Sequence, residues 1–172
     1  MQIRDAVEED IDAIREIYND VLTHSTAIYN DHPATREDRL AWWKARVEQG
    51  YPVLVAEHDG QVAGFASFGD FRSWPGYRFT VEGTVHIRSG WRGQGTGTAL
   101  LHTIVDRART LGKHVMIAGV DAENTASLKY LERFGFLRAG HLREVGFKFG
   151  CYLDLVFLQY WITAPESAPH EG

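Results

Sequence analysis

Apolar residues recur along the chain with two periods. Between Glu8 and Leu22, the side chains of Ile11, Ile14, Tyr18, Val21 and Leu22 fall on one helical stripe. Glu8, Glu9, Asp10 and Asp12 crowd its first turns, where the helix dipole favours acid. A second helix is predicted from Arg36 to Gln49, capped by Thr35 and stopped by Gly50. A third runs from Thr98 to Leu111, with Leu100, Leu101, Ile104, Val105, Ala108 and Leu111 in phase and Gly112 behind it. A fourth is capped by Asn124 and runs to Phe134, where Gly135 closes it. The remaining apolar runs read as strands: Gln2–Val7, Val53–Glu57, Val62–Phe68, Phe79–Ile87, Val115–Val120, Leu137–Phe147 and Cys151–Ile162. Asp59-Gly60 supplies the positive φ angles of a hairpin turn. Gly69 to Tyr77, with Trp74-Pro75-Gly76, reads as an exposed loop. The order is mixed α and β, with hairpins at both ends and a strand–helix–strand unit in the middle.

Composition changes this picture mainly by exclusion. A chain of 172 residues, 44% hydrophobic and 24% charged, suits one globular domain without disulfides or metal staples. Its net charge of -5 and scattered basic residues argue against nucleic acid as a partner. No apolar run approaches the ~18 residues of a membrane span. Met1 to Asp5 carries no apolar core of a signal peptide. The single cysteine, Cys151, has no internal partner, and a reducing cytoplasm is the expected compartment. The histidines are scattered without a metal-binding motif, so no metal is expected. Thr163 to Gly172 reads as a frayed tail.

The segment that carries chemistry lies between the predicted strand Phe79–Ile87 and the long helix. In Arg92-Gly93-Gln94-Gly95-Thr96-Gly97-Thr98, three alternate residues are glycine. Missing Cβ atoms let an anion approach the backbone, and the unpaired N–H groups opening a helix attract phosphate. A Walker loop would need Lys followed by Ser or Thr after its last glycine, and Ala99 follows Thr98 here. A dinucleotide fingerprint would need glycine where Thr98 stands. What remains is Arg-x-x-Gly-x-Gly, from Arg92 through Gly95 to Gly97; a plain glycine-rich loop is the competing reading.

This turn, followed by Asn124-Thr125-Ala126-Ser127 and by Phe134-Gly135-Phe136, resembles the two cofactor motifs of the GCN5-related N-acetyltransferases. Over nearly the whole chain the resemblance is closer still to their phosphinothricin and methionine sulfoximine acetyltransferase branch. It is carried by Ile17-Tyr18-Asn19-Asp20, Thr26-Ala27-Ile28, Gly50-Tyr51-Pro52, Thr80-Val81-Glu82 and Val145 to Gly150. The resemblance implies an α/β (mixed α+β) fold, with a mostly antiparallel twisted sheet of about seven strands and about four helices. Residues 1–163 are expected to form that domain and 164–172 a flexible tail. It implies acetyl-CoA as co-substrate, held at its pantetheine arm by Val85, His86 and Ile87 and at its pyrophosphate by Arg92 and Gly93 to Thr98. Asn124, Ser127 and Tyr130 are the further cofactor contacts. A homodimer is implied as well.

Amide formation from a thioester needs a neutral amine, and a base supplies it. Glu82, on the strand leading to the turn, is the candidate, directly or through water; a solvent-facing strand carboxylate is the alternative. Backbone N–H groups near Ile87 are candidates for stabilising the oxyanion. Arg72 and Arg78 flank the preceding loop and suit a carboxylate or phosphinate, or are merely solvated. Tyr29, Phe71, Ser73 and Trp74 are candidate walls of an acceptor site, and Lys148 lies in a segment able to reach a partner subunit's site. Where related enzymes carry Tyr or His as the thiolate-protonating acid, this chain has Leu131, with Tyr130 beside it. Acetylation of a protein N-terminus or lysine, or a CoA-binding sensor without turnover, are the rival functions.

Overall fold

The computed structural model describes residues 1–164. Its elements run β1 (Gln2–Asp5), α1 (Ile11–His24), α2 (Arg36–Glu48), β2 (Val53–His58), β3 (Gln61–Asp70), β4 (Thr80–Ile87), α3 (Thr96–Thr110), β5 (Val115–Asp121), α4 (Thr125–Phe134), β6 (Leu137–Lys148) and β7 (Cys151–Trp161). The strands form one seven-stranded sheet in the order β1-β2-β3-β4-β5-β7-β6. Only β4 and β5 run parallel; every other neighbouring pair is antiparallel. Residues 165–172, most of the expected tail, lie outside the described residues.

Local chemistry sets most of the element ends. The Thr35 hydroxyl accepts the Asp38 N–H at 3.1 Å while the Asp38 carboxylate accepts the Thr35 N–H at 2.8 Å, a reciprocal cap that starts α2. The Asn124 amide oxygen accepts the Ser127 N–H at 3.1 Å and starts α4. Asp59 and Gly60, both at positive φ (48° and 79°), turn β2 into β3.

Three boundaries differ from the pattern. Glu8–Asp10 form a 3-10 turn, so α1 begins at Ile11. Asp10 is buried there because Arg4 clasps it, with Nη1 at 2.7 Å and Nη2 at 2.9 Å, and the Val7 N–H donates to it at 2.9 Å. Its acid serves a tertiary ion pair more than a helix dipole. β3 runs on to Asp70, and the loop behind it holds a 3-10 turn at Pro75–Tyr77. α3 begins at Thr96, two residues early, because Gly95 takes the left-handed conformation (φ 84°) that turns the chain into the helix.

β3 lies centrally and is buried from Val62 to Gly69. On one face, Leu100, Ile104 and Ala108 of α3 and Leu128 and Leu131 of α4 pack on Leu54, Ala66, Phe68, Val81 and Met116. On the other, Ile11, Ile14 and Ile17 of α1 pack on Val53, Val55 and Phe65. Alternation along the strands therefore puts Phe65, Ser67 and Gly69 of β3, with their partners His86, Thr84 and Glu82 of β4, on the face shared with α1 and α2.

The parallel pair is short. β4 meets β5 only at Thr80–Val115, Val81–Met116 and Glu82–Ile117. Beyond Glu82 the two strands part, although both continue to Ile87 and Asp121. From Gly83 to Ile87 the edge of β4 that faces β5 has no ladder partner, which leaves strongly polar backbone groups open to a ligand.

Candidate active site

The gap between β4 and β5 opens into a cavity of about 1390 Å³ that reaches both faces of the sheet. At one end lies the glycine turn. Gln94 Nε2 closes it by donating to the Gly90 carbonyl at 3.0 Å. The first satisfied amide of α3 is the Ala99 N–H, at 3.0 Å from the Gly95 carbonyl, so the N–H groups of Thr96, Gly97 and Thr98 precede the helical ladder. Arg92, Gly93, Gly95, Gly97 and Thr98 line the cavity. Thr96 is fully buried and does not line it, and neither does Gln94.

Val85, His86 and Ile87 line the middle, and Asn124, Ser127 and Tyr130 face them from α4. The Tyr130 hydroxyl is buried without a hydrogen-bond partner of good geometry and lies 3.4 Å from where a Cβ at Gly97 would stand. Burial pushes its pKa to about 12, with a small opposing pull from Thr98, so it stays a donor at neutral pH. Leu131, its neighbour, is part of the core and also lines the cavity. The His86 imidazole is pushed down to about 4, chiefly by burial and further by Arg39 and Arg92. It is therefore neutral near pH 7 and a poor proton acceptor.

Glu82 stands at the point where the strands part. Its Oε1 lies 3.4 Å from where a Cβ at Gly119 of β5 would stand, so the glycine makes room for the carboxylate. Among the described residues no side chain or amide donates to Glu82. Burial raises its proton affinity, and the Arg72 guanidinium pulls it back down. The net effect is a raised proton affinity, which suits a group that must take up a proton.

The other acceptor-side candidates divide. Phe71 meets Phe157 edge-on at 6.0 Å, and Arg72 stacks on the Phe71 ring at 4.4 Å while bearing on Glu82. Neither of these two is among the residues that line the cavity. Arg78 is folded back on Phe79 at 4.5 Å and donates to the Pro75 carbonyl at 3.0 Å. Ser73 and Trp74 are exposed, Trp74 by 73%. The Tyr29 hydroxyl donates to the Asp154 carbonyl at 3.0 Å, away from the cavity lining. Lys148 is 1% exposed, and its Nζ donates to the carbonyls of Leu22, Ser25 and Ile28. All three of its donors are engaged, and it does not line the cavity.

Several lining residues escape the sequence pattern. Asp121, at the end of β5, accepts the Thr26 hydroxyl and the Glu123 N–H, the latter at 3.1 Å. Arg39 and Arg46, on the inner side of α2, line the same cavity as Glu82. Their spacing with Trp42, at i, i+3 and i+7, was the available signal. Among the described residues no three His, Cys, Asp or Glu side chains gather as metal ligands do. No helix among them is long and apolar enough to cross a membrane.

Parted parallel strands, a glycine turn feeding free amides into a helix, and a half-buried carboxylate at the fork define an acyltransferase that draws its acyl group from a phosphate-bearing thioester. Residues 11–136 match the acetyltransferase (GNAT) family, and the chain belongs to it. It is 47% identical over 170 residues to the L-methionine sulfoximine/L-methionine sulfone acetyltransferase of Salmonella typhimurium, covering 97% of this chain and 99% of that one. It is 36% identical to the phosphinothricin N-acetyltransferase of Alcaligenes faecalis, over 96% of this chain and 84% of the relative. The structure superposes with a TM-score of 0.93 on yncA from Salmonella typhimurium, solved with its cofactor acetyl-CoA. That match has 45% identity and covers 100% of this chain and 99% of the other.

Proposed function

We propose that this enzyme moves an acetyl group from acetyl-CoA to the primary amine of a small amino-acid-like acceptor, of the methionine sulfoximine, methionine sulfone or phosphinothricin kind. Transfer is direct, within a ternary complex. The observation that carries the reading is Glu82: half-buried, without a donor, and set at the fork of β4 and β5 beside the open strand edge. The relatives' acceptors are compact amines carrying a carboxylate, which suits a bounded cavity better than an open groove.

Acetyl-CoA supplies the activated carbonyl and the thiolate leaving group. The residues present fit it: amides of Thr96 to Thr98 for the pyrophosphate, the unpaired edge of Gly83–Ile87 for the pantetheine arm, and the orphaned Tyr130 hydroxyl beside Gly97. Glu82 takes the proton from the acceptor's ammonium, directly or through one water. Backbone N–H groups near Ile87 face the oxyanion. Tyr130 donates a hydrogen bond to the sulfur; a phenol held near 12 steadies a thiolate better than it protonates one. Arg72, whose charge bears on Glu82, meets the polar end of the acceptor side chain.

The working form we infer is a cytoplasmic homodimer whose domain spans residues 1–163. β6 supports it: this edge strand, the turn behind it and the start of β7 expose Leu142, Val145, Phe147, Phe149 and Tyr152. Detoxification of amino-acid analogues is the corresponding role. A thiol-release assay with acetyl-CoA and a panel of free amino acids, simple amines and peptides tests the function. Turnover with methionine sulfone is expected. Turnover confined to peptides would shift the assignment to protein acetylation, and binding without turnover would make the chain a sensor.

A further inference from the structure

The inner side of α2 carries a cation–aromatic–cation row, Arg39, Trp42 and Arg46, and among the described residues neither arginine forms an ion pair. Arg39 is 8% exposed; its guanidinium lies 3.9 Å from the Trp42 ring centre and 4.4 Å from that of Tyr18, and its Nε has no partner. The Arg46 Nε is also buried and unpartnered. Its Nη1 donates to Gln49 at 3.1 Å, and its Nη2 lies 2.5 Å from where a Cβ at Gly69 would stand. Neither guanidinium has a carboxylate within the 4.0 Å of an ion pair among the described residues. Asp70 acts on Arg46 only at longer range.

Gly69 is the ladder partner of Glu82. Arg46 therefore sits over β3, while the Glu82 carboxylate leans the opposite way, over Gly119 of β5. Ladder spacing puts the two charges at least two strand spacings apart, about 10 Å. Two hydrogen bonds of about 2.9 Å and the head group of one α-amino acid span that distance. In an α-amino acid the amine and carboxylate sit one carbon apart, so a molecule whose amine meets Glu82 presents its carboxylate toward α2.

We propose that Arg46 receives the α-carboxylate of the acceptor, with Arg39 two turns away on the same ledge strengthening the positive field. This rests on the acetyl-transfer reading above and adds a specificity determinant: the enzyme selects α-amino acids over amines that lack a carboxylate. With the side chain directed to Arg72, which bears on Glu82, three points of contact fix the acceptor's handedness.

The test compares methionine sulfone with 3-(methylsulfonyl)propylamine, the same molecule without its carboxylate, on the full-length enzyme and its Arg46→Gln and Arg46→Lys variants. Gln keeps much of the stem that packs on Trp42. Arg46→Gln is expected to lower kcat/KM for methionine sulfone roughly 10- to 100-fold, by loss of a charged hydrogen bond. The rate with the plain amine and the KM for acetyl-CoA should hold, and Arg46→Lys should restore part of the loss. An equal loss on both acceptors, or no loss on either, overturns the proposal. If the unaltered enzyme turns over neither acceptor, it is the acetyl-transfer reading itself that fails.

Discussion

Two regions of the molecule bury cations and treat them in opposite ways. Where β6 crosses the end of α1, Lys148 gives its three protons to the carbonyls of Leu22, Ser25 and Ile28, orphans that the helix end and the following loop leave behind. On α2, the buried Arg39 and the half-buried Arg46 lie against aromatic rings with donors to spare. Among the described residues four buried side-chain polar atoms lack a partner, Arg15 Nε, Arg39 Nε, Arg46 Nε and Tyr130 Oη, and all but the first belong to residues lining the cavity. Since an unpaired buried polar group is costly, a saturated cation marks architecture and an unsaturated one marks a place kept for something else.

The contrast can be tested on both sides. On the unsaturated side, Glu82→Gln is expected to lower kcat/KM by roughly 10²- to 10⁴-fold while leaving acetyl-CoA affinity intact, as seen by calorimetry. Full activity across the pH range would remove Glu82 from the chemistry. On the saturated side, Lys148→Met strands three carbonyls and is expected to cost roughly 2–5 kcal/mol in denaturant titrations with little change in either KM. Unchanged stability with a raised acceptor KM would move Lys148 into the site and break the contrast.

Smaller effects sharpen it. Glu82 must be unprotonated to act, so the rate rises with pH through its titration. Arg72 lowers its proton affinity, and Arg72→Ala should therefore move the acidic limb of the kcat/KM profile to higher pH. A shift to lower pH would mean that Arg72 does not face Glu82. Thr35→Ala removes a saturated cap from the helix that carries both arginines. It should cost about 1 kcal/mol of stability and leave acceptor selectivity alone.

These features were unequally legible in the sequence. Thr35, Asn124, Asp59-Gly60 and Gly135 announce themselves because a cap or turn is made by neighbours in the chain. The glycine turn is legible for the same reason, although its helix begins two residues early, at a φ only the fold reveals. The Arg4–Asp10 clasp on Glu57, with Arg4 Nε at 3.0 Å from Glu57, joins residues 53 apart and leaves no local pattern. Lys148 reads as a surface cation until the end of α1 arrives to meet it. Arg39 and Arg46 lay in a helix rich in both charges, where solvated arginines are the ordinary expectation. The fork of β4 and β5 is hidden for another reason: both sequences keep strand character well past the point where they part.

That fork has a consequence for how the molecule breathes. To one side of β4 the hydrogen-bond ladder is continuous; to the other it ends at Glu82. Without ligand, the amides that point into the gap should exchange with deuterated solvent faster than their neighbours on the same strand, and the β5–β7–β6 wing should open partly on its own. A thioester laid along the gap stands in for the missing rungs. Donor binding is then expected to slow exchange on both wings at once and merge them into a single cooperative unit.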